Sequence, residues 1–492
     1  MKKSGMNIWI FAVLLVTGLV FSQTPDTLWA NHYGGGLWDY AYDVRSTDDG
    51  GFITAGLSNS YISGSIELMM YLVKTNGDGD MLWYKVIGRE YSDRGYSIQI
   101  TADGGYIITG SSEANAGSDA LDVYLVRTDS NGDTLWTRTY GGSLKDEGEC
   151  VVVTEDQGYM IAGYTYSYGA GDKDFYLIRT DSSGDTLWTK TYGGSGDDLA
   201  WSVAVVPDGG FIVSGRTKSY GAGSWDVWLL RIDADGEMIW NKTYGGGSWD
   251  SGLEVQCTPD GGFIVHGYTM SFGAGNTDYY LLKTDASGNL LWSRTYGGSH
   301  YDNGTCIEQL PGGGYLLGGY TKSFGDTDGD FWIIRTDANG DSLWSQIYGG
   351  SGIEALNGMD LTLDGGYILA GKTRSYGSSS SVWLLRIEQD LTGIDESEYA
   401  QSIPSGLALS PVTPNPVLSH MAFDLNTMVS GQADVSVYDL SGRRVAIIHS
   451  GQLTEGTHSF MWTVPQTVAS GTYIVRASCA TLSAAQRIAV IR

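Results

Sequence analysis

The chain has 492 residues, and its 56 acidic against 29 basic side chains give a net charge of −27 at pH 7. That balance argues against a nucleic-acid surface, which needs clustered cations to replace phosphate counterions. The 42% apolar share excludes a disordered chain, and Gly 71 against Pro 9, with 32 Tyr and 16 Trp, predicts many short strands joined by tight turns.

The N-terminus, MKKSGMNIWIFAVLLVTGLVFSQ, places Lys2 and Lys3 ahead of an apolar run from Ile8 to Phe21. The run is short for a membrane span, and Val20-Phe21-Ser22 reads as a cleavage site. Residues 1–22 are therefore expected to be a secretory signal peptide, with no membrane span after its removal. No cysteine follows it, so a lipoprotein anchor is not expected.

Residues 24–388 repeat. DTLWANHYGG at Asp26–Gly35 returns as TLWTRTYGG, TLWTKTYGG, MIWNKTYGG, LLWSRTYGG and SLWSQIYGG, with a worn copy, MLWYKVIGR. The anchoring Trp29, Trp83, Trp136, Trp188, Trp240, Trp292 and Trp344 are spaced by 54, 53, 52, 52, 52 and 52 residues. A constant period in this range marks a repeat architecture. In the copy from Asp197 to Tyr244, DLAWSVAVV, FIVSGRT, VWLLRID and MIWNKTY read as four strands. Asp208-Gly209-Gly210 and Ala234-Asp235-Gly236 supply the tight turns between them. Four antiparallel strands per repeat predict a β-propeller. The last repeat lacks an outer strand and the N-terminus carries a spare one. The expectation is an all-β, seven-bladed β-propeller closed by the N-terminal strand.

Within the repeat, TDSSGDTLW at Thr180–Trp188 resembles the Asp-Gly-Trp blade signature of quinoprotein-type propellers. It also resembles the sialidase Asp-box, with one residue too many on each side of the glycine. This resemblance implies architecture alone.

The period stops after Glu388. Residues 389–406 are polar and acidic and read as a linker. Residues 407–492 form a different β-pattern. Pro414-Asn415-Pro416, then Val437-Tyr438-Asp439 with Gly442-Arg443, then Gly456-Thr457-His458 before Trp462, then Gly471-Thr472-Tyr473 follow in order. This order resembles the C-terminal sorting domain of cargo of the type IX (Por) secretion system. The resemblance implies a small immunoglobulin-like β-sandwich read by secretion machinery. It also implies a secreted protein, or one on the outer-membrane surface of a Gram-negative bacterium.

Four cysteines could form two disulfides, but Cys150 and Cys306 occupy one repeat position three repeats apart, so free thiols are expected, with Cys257 and Cys479 as the other two. An acid follows each Tyr-Gly-Gly (Asp39, Asp93, Asp146, Asp198, Asp250, Asp302, Glu354), and a second opens the third strand (Asp122, Asp174, Asp226, Asp278, Asp330). Sevenfold repetition favours loop-bonding roles, with a calcium-binding ring as the alternative. Asp233-Ala234-Asp235-Gly236 mimics the start of a calcium loop, but no glutamate completes it, so no metal site is assigned.

Trp38, Trp225, Trp249 and Tyr301 precede these acids without recurring in every repeat. Trp225, Trp249 and Tyr301, with Asp226, Asp250 and Asp302, are expected to form an aromatic patch for a glycan or a surface protein. No catalytic motif emerges, no cofactor is implied, and Arg127, Arg179, Arg231, Arg335 and Arg386 share one repeat position rather than forming a substrate clamp. The reading is an exported, non-catalytic binding or adhesion protein. The alternatives are a polysaccharide-active hydrolase or lyase, or a purely structural surface protein.

Overall fold

The structure is a computed structural model and describes residues 25–61, 67–88, 92–113, 121–377, 379–389, 407–410, 419–427, 429–439, 444–465, 468, 471–479 and 482–490. The expected signal peptide, most of the linker, Pro414, Asn415, Pro416, Gly442 and Arg443 lie outside these residues. The chain divides into two compact units, 1–392 and 393–492. The described residues contain strands and no helix, so none that is long and apolar enough to cross a membrane.

The first unit is propeller-like: its described residues form seven four-stranded antiparallel sheets, six of them hydrogen-bonded in strand order and the seventh completed by the N-terminal strand. The fourth runs Asp198–Val205, Phe211–Thr217, Asp226–Ile232, Met238–Tyr244. Its two middle strands are almost wholly buried because neighbouring sheets cover both faces. One core joins Met160 and Phe175 of the third sheet to Val213 and Trp228 of the fourth. The outer strand is exposed over much of its length, leaving Ile239 in solvent while Trp240 packs on Phe263 of the next sheet at 5.9 Å.

The repeated Leu-Trp…Tyr-Gly-Gly stretch is the stitch between sheets. Trp188 Nε1 donates to Ala234 O at 3.2 Å, and Tyr244 Oη donates to Gly288 O at 2.6 Å, each reaching the last turn of the next sheet. The Asp-Gly-Gly turns are clamped from below. Asp103 accepts from Thr101 Oγ1 at 2.7 Å and Gly105 N at 3.2 Å, and pairs with Arg127 Nη2 at 2.5 Å. Gln157, where the motif has drifted to Asp156-Gln157-Gly158, keeps the left-handed φ of 64°.

Arg231 holds the same place in the fourth sheet, bonding Asp208 and the carbonyl of Phe211. Its acid partner is mostly exposed, which weakens the pair itself. Loss of the buried guanidinium bonds in Arg231→Met is expected to cost about 2 kcal/mol by urea denaturation. Arg231→Lys should cost a fraction of that, because Lys74 and Lys283 already fill this position in the first and fifth sheets.

The spare N-terminal strand, Thr27–Tyr33, pairs antiparallel with Ser381–Ile387 and completes the sheet of Glu354–Leu361 and Tyr367–Thr373. The first strands are Asp39–Ser46, Asp93–Ile100, Asp146–Val153, Asp198–Val205, Asp250–Cys257, Asp302–Gln309 and Glu354–Leu361. Each lies against the first strand of the next sheet, and the seventh lies against the first. Asn357 Nδ2 donates to Ala41 O at 2.7 Å, and Ser46 N donates to Asp360 at 2.6 Å, across that last contact.

The described residues of the second unit form two antiparallel sheets, one of Leu407–Leu409, His420–Thr427 and Gly456–Thr463, the other of Arg444–Leu453, Gly431–Asp439, Gly471–Cys479 and Leu482–Val490. They share one core that includes Phe423, Val437, Trp462, Tyr473 and Val475. All four cysteines are free thiols; Cys306 and Cys479 are buried, Cys150 and Cys257 half-buried.

Candidate functional site

The residues that precede the repeated acids differ in exposure. Trp38, Trp249 and Tyr301 are 51%, 47% and 45% exposed, but Trp225 is 5% exposed. It lies beneath the Arg216 guanidinium, 4.2 Å from its ring centre, and Lys218 Nζ, 4.5 Å away. The shared feature of these positions is backbone pairing between sheets: Trp38 with Ser380, Trp225 with Trp249, Thr277 with Tyr301.

The acids beside them are also committed. Asp226, Asp250 and Asp302 are buried. Asp250 accepts from Gly246 N at 2.9 Å and Ser271 Oγ at 2.6 Å; Asp302 accepts from Gly298 N at 2.8 Å and Ser323 Oγ at 2.6 Å; Asp226 accepts from Gly223 N at 2.9 Å. A side chain at Gly245 would meet Asp226 and Asp250 at 2.3 and 2.5 Å, which explains the glycine of Tyr-Gly-Gly. Asp233 likewise caps its own turn, accepting from Asp235 N and Glu237 N at 3.0 and 2.8 Å. Among the described residues, no group of three or more His, Cys, Asp or Glu is placed to hold a metal.

These acids set a pH dependence. Hydrogen bonds from threonine, and then from arginine, hold Asp103 and Asp156 at about 2, below their unfolded value. Their stabilisation is present above about pH 4 and lost as pH falls toward 2. Burial, with the neighbouring acid adding to it, raises Asp174, Asp226, Asp278 and Asp330. Their stabilisation is present at low pH and lost as pH rises through their folded values. Urea titrations across pH are therefore expected to find maximal stability between about pH 4 and 5, with decline on both sides. A plateau through pH 8 would contradict this.

The non-repeated chemistry lies instead on the first strands. Each has a β-bulge at one place, between Ala41 and Asp43, Gly95 and Ser97, Gly148 and Cys150, Ala200 and Ser202, and so on through all seven. The cause faces it: a side chain at Gly215 would sit 2.0 Å from Leu199 O, so the second strand presses glycine against the first. The residue skipped by the ladder is Tyr42, Tyr96, Glu149, Trp201, Leu253, Thr305 or Asn357. A bulge releases a side chain from the sheet and re-aims it. Here that side chain is tyrosine in the first two sheets and differs in each of the other five.

The residues ahead of the bulge differ as well, and each faces a second variable residue across the ladder: Arg94 and Ser111, Glu147 and Tyr164, Leu199 and Arg216, Ser251 and Tyr268, Asn303 and Tyr320, Ala355 and Lys372. These rows touch between sheets. Tyr42 and Tyr96 stack edge-on at 5.2 Å, Lys372 sits 4.6 Å over Tyr40, and Arg216 Nη1 donates to Tyr268 Oη at 3.2 Å. Burial raises the Tyr42 hydroxyl to about 12. Burial, then the charge of Glu147, holds Glu149 well above the usual carboxylate range.

Beyond the bulge a third row gathers charge. Burial opposes the positive charge of Arg45, but Asp43, Asp360, Glu308 and Glu254, drawn from the first, seventh, sixth and fifth sheets, hold it protonated. Asp43 pairs with Arg45 Nη1 at 2.9 Å, and the Gln99 amide oxygen accepts from Arg45 Nη2 at 3.0 Å. Burial pushes Glu254 up to about 7. Sequence reasoning missed these three rows. Their signal is present in the chain, as columns that vary inside an otherwise constant 52-residue frame.

No protein-family model matches the chain. It is similar to the regulatory protein FlaEY of Caulobacter vibrioides, at 28% identity over 163 residues, which is 28% of this chain and 17% of that protein. Among solved structures, a puromycin hydrolase aligns at 13% identity and TM-score 0.43 over 80% of this chain and 61% of its own. Sqt1 from Chaetomium thermophilum aligns at 11% and 0.41 over 74% and 99%. The subtype N11 neuraminidase-like protein of A/flat-faced bat/Peru/033/2010 aligns at 13% and 0.37 over 72% and 89%.

Proposed function

We propose that the first unit is a seven-bladed propeller closed by its N-terminal strand, and that it binds carbohydrate at the mouth formed by the bulged first strands. Seven sheets, their cyclic first-strand contacts and the pairing of Thr27–Tyr33 with Ser381–Ile387 support closure. The observation that carries the function is the concentration of unlike aromatic and polar side chains in one layer of an otherwise repetitive frame. Tyr42, Tyr96 and Trp201 offer flat faces, with Arg94 beside Tyr96 for hydroxyl groups. Export fits this role. The signal peptide delivers the chain to the periplasm, and residues 407–492, an immunoglobulin-like sorting domain, direct type IX passage to the cell surface. Deleting 407–492 is expected to strand the protein in the periplasm.

Binding to immobilised polysaccharides tests the site. Trp201→Ala and Tyr96→Ala are each expected to weaken binding at least about tenfold, or about 1.4 kcal/mol, with folding retained. Trp249→Ala should leave binding unchanged. Equal effects of all three would defeat this placement.

A second reading, polysaccharide hydrolysis, draws on Glu147 and Glu149, a carboxyl pair without counterpart in the other sheets. Contact between the two disfavours it, because glycoside hydrolysis needs carboxyl groups roughly 5 Å or more apart. Product release that vanished in Glu149→Gln would favour hydrolysis.

A further inference from the structure

The mouth is not chemically uniform. Over the third and fourth sheets, cations and aromatic rings alternate in one continuous run. Lys173 Nζ lies 5.2 Å over Tyr166 and 6.0 Å over Tyr164; Tyr164 meets Trp201 edge-on at 6.3 Å; Arg216 lies 5.6 Å over Trp201 and 4.2 Å over Trp225. Two further lysines at the edge of this run are already neutralised, Lys145 by Glu147 at 2.8 Å and Lys218 by Asp197 at 2.6 Å. Among the described residues, Arg216 and Lys173 have no carboxylate partner; the guanidinium bonds only the Tyr268 hydroxyl, and its Nε is buried without an acceptor. The indole Nε1 of Trp201 is likewise buried without an acceptor.

This is unexpected in a chain with 56 acids to 29 bases, where a free cation is outnumbered. Seating a cation on an aromatic face contributes about 0.5–2 kcal/mol and leaves its charge unneutralised. The Debye length at physiological salt is about 8 Å, so the acidic remainder of the surface is screened while a bound anion meets Arg216 and Lys173 directly. Two donors without acceptors add a demand for acceptor atoms.

We infer that the mouth takes acidic carbohydrate, chains whose carboxylate or sulfate groups bond Arg216 and Lys173 while their rings pack on Trp201 and Tyr166. This rests on the carbohydrate reading above and narrows it to charge-bearing chains. Trp225 is then a positioning residue: its buried ring holds Arg216 in place and does not touch the ligand.

The test compares the full-length protein with Arg216→Met, Lys173→Met and Arg216→Lys on polygalacturonate, chondroitin sulfate and neutral laminarin, by affinity electrophoresis, with circular dichroism verifying the fold of each variant. Because Arg216 covers Trp225, Lys173→Met serves as the variant least exposed to folding loss. The expected result is binding to polygalacturonate or chondroitin sulfate, at least tenfold weaker in each methionine variant and in 0.5 M salt, and partly kept in Arg216→Lys. Laminarin binding that matches the acidic chains, and is unmoved by the methionine variants or by salt, would overturn the inference and leave the carbohydrate reading standing. Binding to none of the three would overturn both.

Discussion

Removing Thr27–Tyr33 is expected to unfold the first unit or lower its stability by on the order of 5–10 kcal/mol, although a terminal deletion of this size is usually tolerated. Six residues of this strand pair with Ser381–Ile387, all seven of whose residues are buried. At about 1 kcal/mol per backbone hydrogen bond, those contacts alone are a large part of a domain's stability. The strand also carries two stitches to the first sheet. Trp29 Nε1 donates to Gly77 O at 3.0 Å, and Tyr33 Oη donates to Gly79 O at 2.6 Å. Losing them frees the seventh sheet from the first at one edge and leaves a hydrogen-bonding edge open to other chains. Thermal melts and size-exclusion chromatography of the truncated protein provide the check. A melting temperature within about 2 °C of the intact protein would show that the strand is dispensable.

Arg45→Met is expected to cost about 3 kcal/mol at pH 8, the low end for breaking a buried ion pair because a quarter of the side chain, 25%, is exposed. The cost comes less from the lost pair than from Asp43, Glu254, Glu308 and Asp360, left without their cation. The sign with pH follows from Glu254. Its folded value, about 7, lies above the unfolded 4.5, so its contribution is present at low pH and is lost as pH rises toward 7. Arg45 lowers that value, so its removal raises it further and widens the window. The penalty of Arg45→Met should therefore shrink at pH 5. Adding Glu308→Gln to the variant should recover part of it at pH 8, because burial and the neighbouring Glu254 already disfavour charge on Glu308. A penalty equal at both pH values would mean that Arg45 serves packing alone.

Much of the frame is legible in the chain because it repeats for steric reasons. A 52-residue spacing of Trp and Tyr-Gly-Gly is enough to place four strands per repeat. The structure then shows why each element is kept: Trp188 and Tyr244 reach the next sheet, Gly245 makes room for two acids, and Arg231 ties down a turn. The site was harder to read. Trp225, Trp249 and Tyr301 are conspicuous because they are large and irregular, but they sit where backbones pair between sheets, and Trp225 is covered by Arg216. Exposure of a loop aromatic cannot be judged from spacing. Tyr42, Tyr96, Glu149 and Trp201 looked like ordinary members of alternating strands. A bulge is a tertiary consequence of glycine on the facing strand, so alternation gives no sign that these side chains leave the sheet.

We propose that the repeated residues build the frame and the varying residues of the first two strands bind the ligand. Hydrogen exchange with and without polygalacturonate tests it most directly. The predicted result is slowed exchange in the segments around Glu147–Glu149, Tyr164–Tyr166, Leu199–Trp201 and Arg216–Lys218, with no change in the outer strands Thr186–Tyr192 and Met238–Tyr244. Protection centred on those outer strands, or on Trp249 and Tyr301 with the first strands unchanged, would contradict it.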